Sequence, residues 1–164
     1  RTFMNLIKSI TKWFRAAKPE PTQKDICTQM GAMFEEMAEL SRAFGIRNVK
    51  LEETSAKFYA ADHISQVAER PIDYAELLDA MCDVQVTMQG VCAYTGMDYQ
   101  GALAEVNHSN WTKFATDERG NFVPYLQPNG KIGKNPATYQ APNLTPYLKP
   151  LNPDPDSSYG GSHE

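Results

Sequence analysis

The sequence predicts an all-α fold, a bundle of four to five helices followed by an irregular C-terminal arm. Apolar residues recur at helical spacing from about residue 4 to residue 114, and the runs are separated by capping signals. Alternating strand-like patterns are weak throughout. Eight of the eleven prolines lie at or beyond Pro124, where neither a 3.6 nor a 2.0 period survives. With 164 residues the chain has the length of one domain, and a core of that size needs no disulfide staples.

The first helix is expected over residues 4–18, where Leu6, Ile10, Trp13 and Phe14 share one side and Lys8, Lys12 and Arg15 lie mostly on another. The apolar stretch is too short and too broken by lysines for a secretory signal. An amphipathic helix docking on the body or on a partner chain fits better. Residues 1–3 and 157–164 read as tag remnants or a disordered tail and are left out of the fold. Thr22 with Asp25 three residues on forms a capping-box start for the second helix, and Gly45 stands where its C′ residue belongs. Met30, Met33, Met37 and Leu40 follow at i, i+3, i+7 and i+10, a stripe expected to be core rather than a soft metal site.

A third helix is expected over 51–69, carrying Phe58, Tyr59, Ile64 and Val67 and closed by Pro71. Asp73 caps a long helix to about Tyr94, with Glu76 at its N3 position and Gly96 past its end. Asp98 caps a last helix to about Phe114, through Leu103, Val106 and Trp111. The body of the domain is thus residues 4–115. The arm, 116–150, keeps Phe122, Tyr125, Leu126, Ile132, Tyr139, Leu144, Tyr147 and Leu148, too many apolar residues for a flexible linker. It is expected to wrap the body, with one short hairpin at Asn129-Gly130.

Sixteen basic residues against twenty acidic ones, net −4, argue against nucleic-acid binding as the main task. No run reaches the length of a membrane span. Cys27, Cys82 and Cys92 are odd in number and widely spaced, which fits a reducing cytoplasm rather than a disulfide framework.

Two carboxylate clusters carry the chemistry. Glu35-Glu36-x-x-Glu39 lies on the methionine-striped helix, and Glu76-x-x-Asp79-x-x-x-Asp83 opens the long one. Glu36 and Glu39, like Glu76 and Asp79, fall on one helix face about one turn apart, where like charges repel by a few tenths of a kcal/mol. Helices bearing such pairs, packed face to face, offer the oxygen ligands that a hard divalent cation takes. Either cluster alone also fits an ordinary solvated face. A third group, Asn107-x-x-Asn110-x-x-Lys113, repeats the i+3 spacing, and Gly130-Lys131-Ile132-Gly133-Lys134 sets two lysines beside glycines. Amides, ammonium groups and glycine-lined backbone can hold phosphate, although the GKS/T ending of a P-loop is missing.

The order EExxE, then ExxD on a later helix, then a helix bearing Asn and Lys resembles the all-α nucleoside triphosphate pyrophosphohydrolases. These include MazG-like enzymes, dimeric dUTPases and phosphoribosyl-ATP pyrophosphohydrolase. Phage-encoded MazG-like proteins are the nearer likeness. They carry stretches similar to Ser109-Asn110-Trp111-Thr112-Lys113-Phe114 and Asn129-Gly130-Lys131-Ile132-Gly133-Lys134, followed by a Tyr/Pro-rich end like Tyr139-Gln140-Ala141-Pro142. The likeness spans residues 25–145. It implies Mg²⁺, or Mn²⁺ in its place, held by Glu36, Glu39, Glu76 and Asp79, with Asp83 as a further ligand or a supporting group. It also implies water attack at the α-phosphorus of a nucleoside triphosphate, releasing the monophosphate and pyrophosphate. Glu35 is the group expected to orient or deprotonate that water. Asn107, Asn110, Lys113, Lys131, Lys134 and Tyr139 are expected to bind substrate. The 36 residues between Glu39 and Glu76 exceed the family's usual separation, and the insertion falls near residues 47–70.

A homodimer or homotetramer is expected, because four or five amphipathic helices and an arm leave more apolar face than a lone small bundle covers. Two other readings stay open at this level: a phosphoribosyl-ATP-type pyrophosphohydrolase, and a non-catalytic helical oligomerisation or interaction protein whose carboxylates are merely solvated.

Overall fold

The computed structural model describes residues 2–148. Five α-helices dominate it: α1 (Thr2–Ala17), α2 (Gln23–Ala43), α3 (Val49–Ala60), α4 (Tyr74–Thr95) and α5 (Tyr99–Trp111). The only sheet among the described residues is a two-stranded antiparallel ribbon, β1 (Ala115–Thr116) with β2 (Phe122–Val123). The expected all-α class holds. No described helix is long and apolar enough to cross a membrane. The expected tail at 157–164 and the last two residues of the expected arm lie outside the described residues.

The chain divides into two compact units. One comprises the residues up to Ile72 together with Ser109–Gln140; the other comprises Asp73–His108 with the segment from Ala141.

In the first unit, α1 docks on the body through Leu6, Trp13 and Ala17, all buried. It starts at Thr2, two residues before the expected start. Trp13 stacks on Phe114 with ring centroids 5.4 Å apart, and its indole N–H donates to the Asn110 carbonyl at 2.7 Å. Trp111 and Phe122 close on the same aromatic cluster, and Ile132 packs against it. Residues of the arm are therefore part of this core.

The capping box of α2 forms as predicted. The Thr22 hydroxyl accepts the Asp25 amide, and the Asp25 carboxylate accepts the Thr22 amide at 2.9 Å. Gly45 closes the helix with φ +77°. The buried seam of α2, however, is Cys27, Thr28, Gly31, Ala32 and Ala38, not the methionine stripe. Met30, Met33 and Met37 are half-buried, and Leu40 is exposed. Small side chains win the seam because α3 packs close. The buried Ser55 hydroxyl donates to the Gly31 carbonyl at 2.8 Å, and the Tyr59 ring lies where a Cβ on Gly31 would sit.

Helix α3 is shorter than expected. It runs from its Asn48 cap to Ala60, and residues 61–69 leave the helix. His63 caps a short 3-10 turn, Ile64–Gln66, whose Gln66 side chain returns to the His63 amide at 3.1 Å. That local box, together with Lys24 donating to the Tyr59 and Ala61 carbonyls at 2.8 and 3.0 Å, terminates the helix. Helix α5 also stops early, at Trp111. The Thr112 hydroxyl takes the Ser109 carbonyl at 2.7 Å, and the following amides bond three residues back. The turn at Asn129-Gly130 is present, with Gln127 and Lys131 paired across it at 2.8 Å, Leu126 opposite Ile132, and Gly130 at φ +83°.

In the second unit, Asp73 caps α4 by accepting the Ala75 and Glu76 amides, and Gly96 ends it at φ +73°. Asp98 accepts the Gly101 amide at 2.9 Å at the start of α5. Gln85 of α4 donates to the Tyr99 hydroxyl at 3.1 Å. Tyr147 crosses Gly101 so closely that a Cβ there would lie 2.5 Å from its ring, and its carbonyl accepts the Asp98 amide at 3.0 Å. No residue of α4 is buried. Leu78 and Val84 are exposed, as are Val86 at 67% and Tyr94 at 95%.

Candidate functional site

The cluster that brings predicted residues together lies in the first unit, on α2. Gly31 and Glu35 are one turn apart on that helix, and Ser55 and Tyr59 are one turn apart on α3. Ser55 fixes α3 against Gly31, and the Tyr59 ring then runs over Gly31 until its hydroxyl donates to the Glu35 carboxylate. The arm reaches the same helix. Thr28 donates to the Asn129 carbonyl at 3.1 Å and holds the Asn129-Gly130 turn two helical turns before Glu35. From that turn Lys131 extends its ammonium to 2.7 Å from Glu35 Oε2, the oxygen that also accepts from Tyr59.

The electrostatics follow from this geometry. Burial pushes the Glu35 carboxyl up, but the hydrogen bonds from Lys131 and Tyr59, with the charges of Lys131 and Arg42, outweigh it and leave the group below its ordinary range. Burial and the bond to Glu35 push the Tyr59 phenol up to about 12, so it remains a donor. Burial works against the Lys131 ammonium, yet the Glu35 carboxylate holds it above its ordinary value.

Lys113 is half-buried. Burial lowers its pKa first, then the charges of Lys134 and Lys131, while Glu36 partly restores it. Three ammonium groups and two carboxylates thus share one field. Lys113 lies over the Trp13 ring at 5.6 Å and Lys134 over the Tyr139 ring at 5.0 Å. Among the described residues neither forms an ion pair. Asn110 is half-buried at the end of α5, and its backbone carbonyl holds Trp13. Glu36 and Glu39 are exposed, and Glu39 makes a 3.6 Å surface pair with Arg42.

In the second unit Glu76, Asp79 and Asp83 stand exposed along the first turns of α4, and Asn107 is half-buried on α5. Among the described residues no three His, Cys, Asp or Glu side chains are gathered as a metal cage.

Two residues of the cluster escaped the sequence reading. Tyr59 read as an apolar helix residue, and Trp13 as one more member of an amphipathic face. The one sequence signal for Tyr59 was its place on the long insertion between the acidic motifs.

Compared with family models, with curated proteins and with solved structures, the chain matches none.

Proposed function

We propose that this chain is a Mg²⁺-dependent nucleoside triphosphate pyrophosphohydrolase, releasing a monophosphate and pyrophosphate. The observation that supports it is the delivery of Lys131 from the arm to Glu35 on α2, 96 positions earlier in the chain, beside Glu36 and with Lys113 and Lys134 in the same field. Each of these residues is one that the sequence analysis expects in catalysis, metal binding or substrate binding.

The chemistry of the donors suits a hard cation, although among the described residues no three of them are gathered around one point. Glu36 and Glu39 offer hard oxygen donors in water, one turn apart, and α4 offers Glu76, Asp79 and Asp83 in the same style. Mg²⁺ held by such carboxylates would supply charge neutralisation for phosphate and acidity to water. The chain's own residues do the rest. Lys113, Lys131 and Lys134 bind phosphate oxygens and offset their charge. Glu35, held ionised, orients a water by accepting its proton in a hydrogen bond. Tyr139, already paired with Lys134, offers an apolar face to base or ribose.

The exposed apolar residues of α4 support homo-oligomerisation, as dimer or tetramer, in a cytoplasmic protein. The same exposure is what favours the second reading, a helical interaction protein without catalysis. Pyrophosphate release from a panel of ribo- and deoxyribonucleoside triphosphates and phosphoribosyl-ATP, with and without Mg²⁺, separates the two. Metal-dependent release from at least one of them is expected. Its absence across the panel overturns the enzyme reading.

A further inference from the structure

The Glu35–Lys131–Tyr59 contact sets two donors on one carboxylate oxygen, and the Lys131 charge acts in one field with those of Lys113 and Lys134, neither of which forms an ion pair among the described residues. Lys131 is half-buried and Glu35 is only partly exposed, so the pair is shielded from water more than a surface ion pair is. Three lysines with one bound acid make a seat with surplus positive charge. The one strong anionic contact inside it is internal.

We infer that Glu35 is the resting partner of Lys131: an arriving polyphosphate takes the ammonium from the carboxylate, and Tyr59 keeps the carboxylate in place when Lys131 leaves. This rests on the phosphate-binding role proposed above for the lysines, and adds to it a partner exchange and a positioning residue. The chemistry is a competition between two anions for one cation. A di- or triphosphate oxygen offers Lys131 more charge than one carboxylate does, and it engages Lys113 and Lys134 at the same time. Glu35 does not follow the lysine, because the Tyr59 ring is fixed over Gly31 and its hydroxyl remains bonded to Oε2. The long insertion between the acidic motifs thereby gains a task, since α3 supplies Tyr59. Lys131 has the reach for an exchange, being a flexible stem mounted on a turn that Thr28 anchors.

The test uses inorganic pyrophosphate as probe and the full chain without metal, in chelator, by isothermal titration calorimetry. Glu35→Gln removes the internal competitor while keeping shape, and pyrophosphate is expected to bind about three- to tenfold tighter. Lys131→Met is expected to weaken binding by about tenfold or more, and in that background Glu35→Gln should change nothing further. Tyr59→Phe keeps the ring over Gly31 but leaves Glu35 only Lys131 to hold it, so pyrophosphate should bind a few-fold more weakly. Lys131→Gln replaces Lys131→Met if circular dichroism shows that the latter fails to fold. If Glu35→Gln leaves affinity unchanged, the exchange is wrong. If its gain persists without Lys131, the effect is only the loss of a nearby negative charge, and the inference falls equally. Absence of pyrophosphate binding in every variant also overturns it. These outcomes are independent of turnover: hydrolysis with no Glu35–Lys131 coupling sinks the exchange alone, and coupling with no hydrolysis sinks the enzyme reading alone.

Discussion

Replacing Gly31 by alanine sets two effects of opposite sign against each other. An interior helix glycine gives up about 1 kcal/mol relative to alanine, so on α2 alone Gly31→Ala should stabilise. The added Cβ, however, would stand 2.9 to 3.1 Å from three atoms of the Tyr59 ring. Carbon atoms attract best at about 3.5–4.0 Å, and overpacking of this kind costs roughly 1–3 kcal/mol. The ring atoms concerned include Cγ, close to the α3 backbone, so relief requires α3 itself to shift. The buried bond from Ser55 to the Gly31 carbonyl resists that shift. Clash should therefore match or exceed the helix gain, for a net loss of about 0–2 kcal/mol. In a Tyr59→Ala background the obstruction is gone, and the same substitution should stabilise by about 1 kcal/mol. Urea denaturation of the four proteins of this cycle gives the coupling directly, expected at about 1–3 kcal/mol. A Gly31→Ala gain of equal size in both backgrounds would refute the close α2–α3 approach, and with it the path that brings Tyr59 to Glu35.

Other outcomes follow from the same contacts. Phe114→Ala should cost about 3–5 kcal/mol by urea denaturation, because the ring is buried among Trp13, Trp111 and Phe122. The Lys18 ammonium, 2.7 Å from Asp25, and the Thr22 amide hold the Asp25 carboxyl at about 2 against an ordinary 3.8. A depressed carboxyl pKa stabilises the fold above the unfolded value, and that stability is lost as pH falls from about 4 through 2. Asp25→Asn should remove about 1 kcal/mol of this acid sensitivity, read as the difference in urea midpoint between about pH 6 and pH 3. Glu39→Gln and Asp79→Asn should each abolish metal-dependent pyrophosphate release while leaving thermal unfolding equal or improved, since each removes a carboxylate from a like-charged helix face. Near-wild-type turnover in either would remove that carboxylate from the ligand set. Sedimentation at micromolar concentration should give a dimer or tetramer, and Leu78→Glu with Val86→Glu should shift it toward monomer. A wild-type monomer would instead leave the exposed face of α4 without a partner copy.

The starts of α2, α4 and α5 were legible because capping is local. Thr22 with Asp25, Asp73 with Glu76, and Asp98 each announce a helix within four residues, and Gly45 and Gly96 mark ends that need a left-handed backbone. The ends of α3 and α5 were not legible. Each is decided by side chains that compete for backbone groups: Gln66 and Lys24 beyond Ala60, Thr112 beyond Trp111. The methionine stripe misled because periodicity reports which residues are apolar, not which side an adjacent helix approaches. Gly31 and Ala32 take the seam because small residues admit a close helix.

The sequence by itself determined the helical class, the caps of α2, α4 and α5, the Asn129-Gly130 turn and the identity of the charged residues, because these depend on neighbours a few positions apart. Glu35 and Lys131 were both visible as chemistry-bearing residues, but nothing in the sequence paired them. Only the tertiary structure joined them across 96 positions and added Tyr59 from a helix whose sequence gave it no part in the site. The physical reason is that a hydrogen bond between distant residues is fixed by the approach of whole elements. Here a glycine on α2, a serine on α3 and a threonine holding the arm set that approach, and none of the three carries the charge of the site it builds.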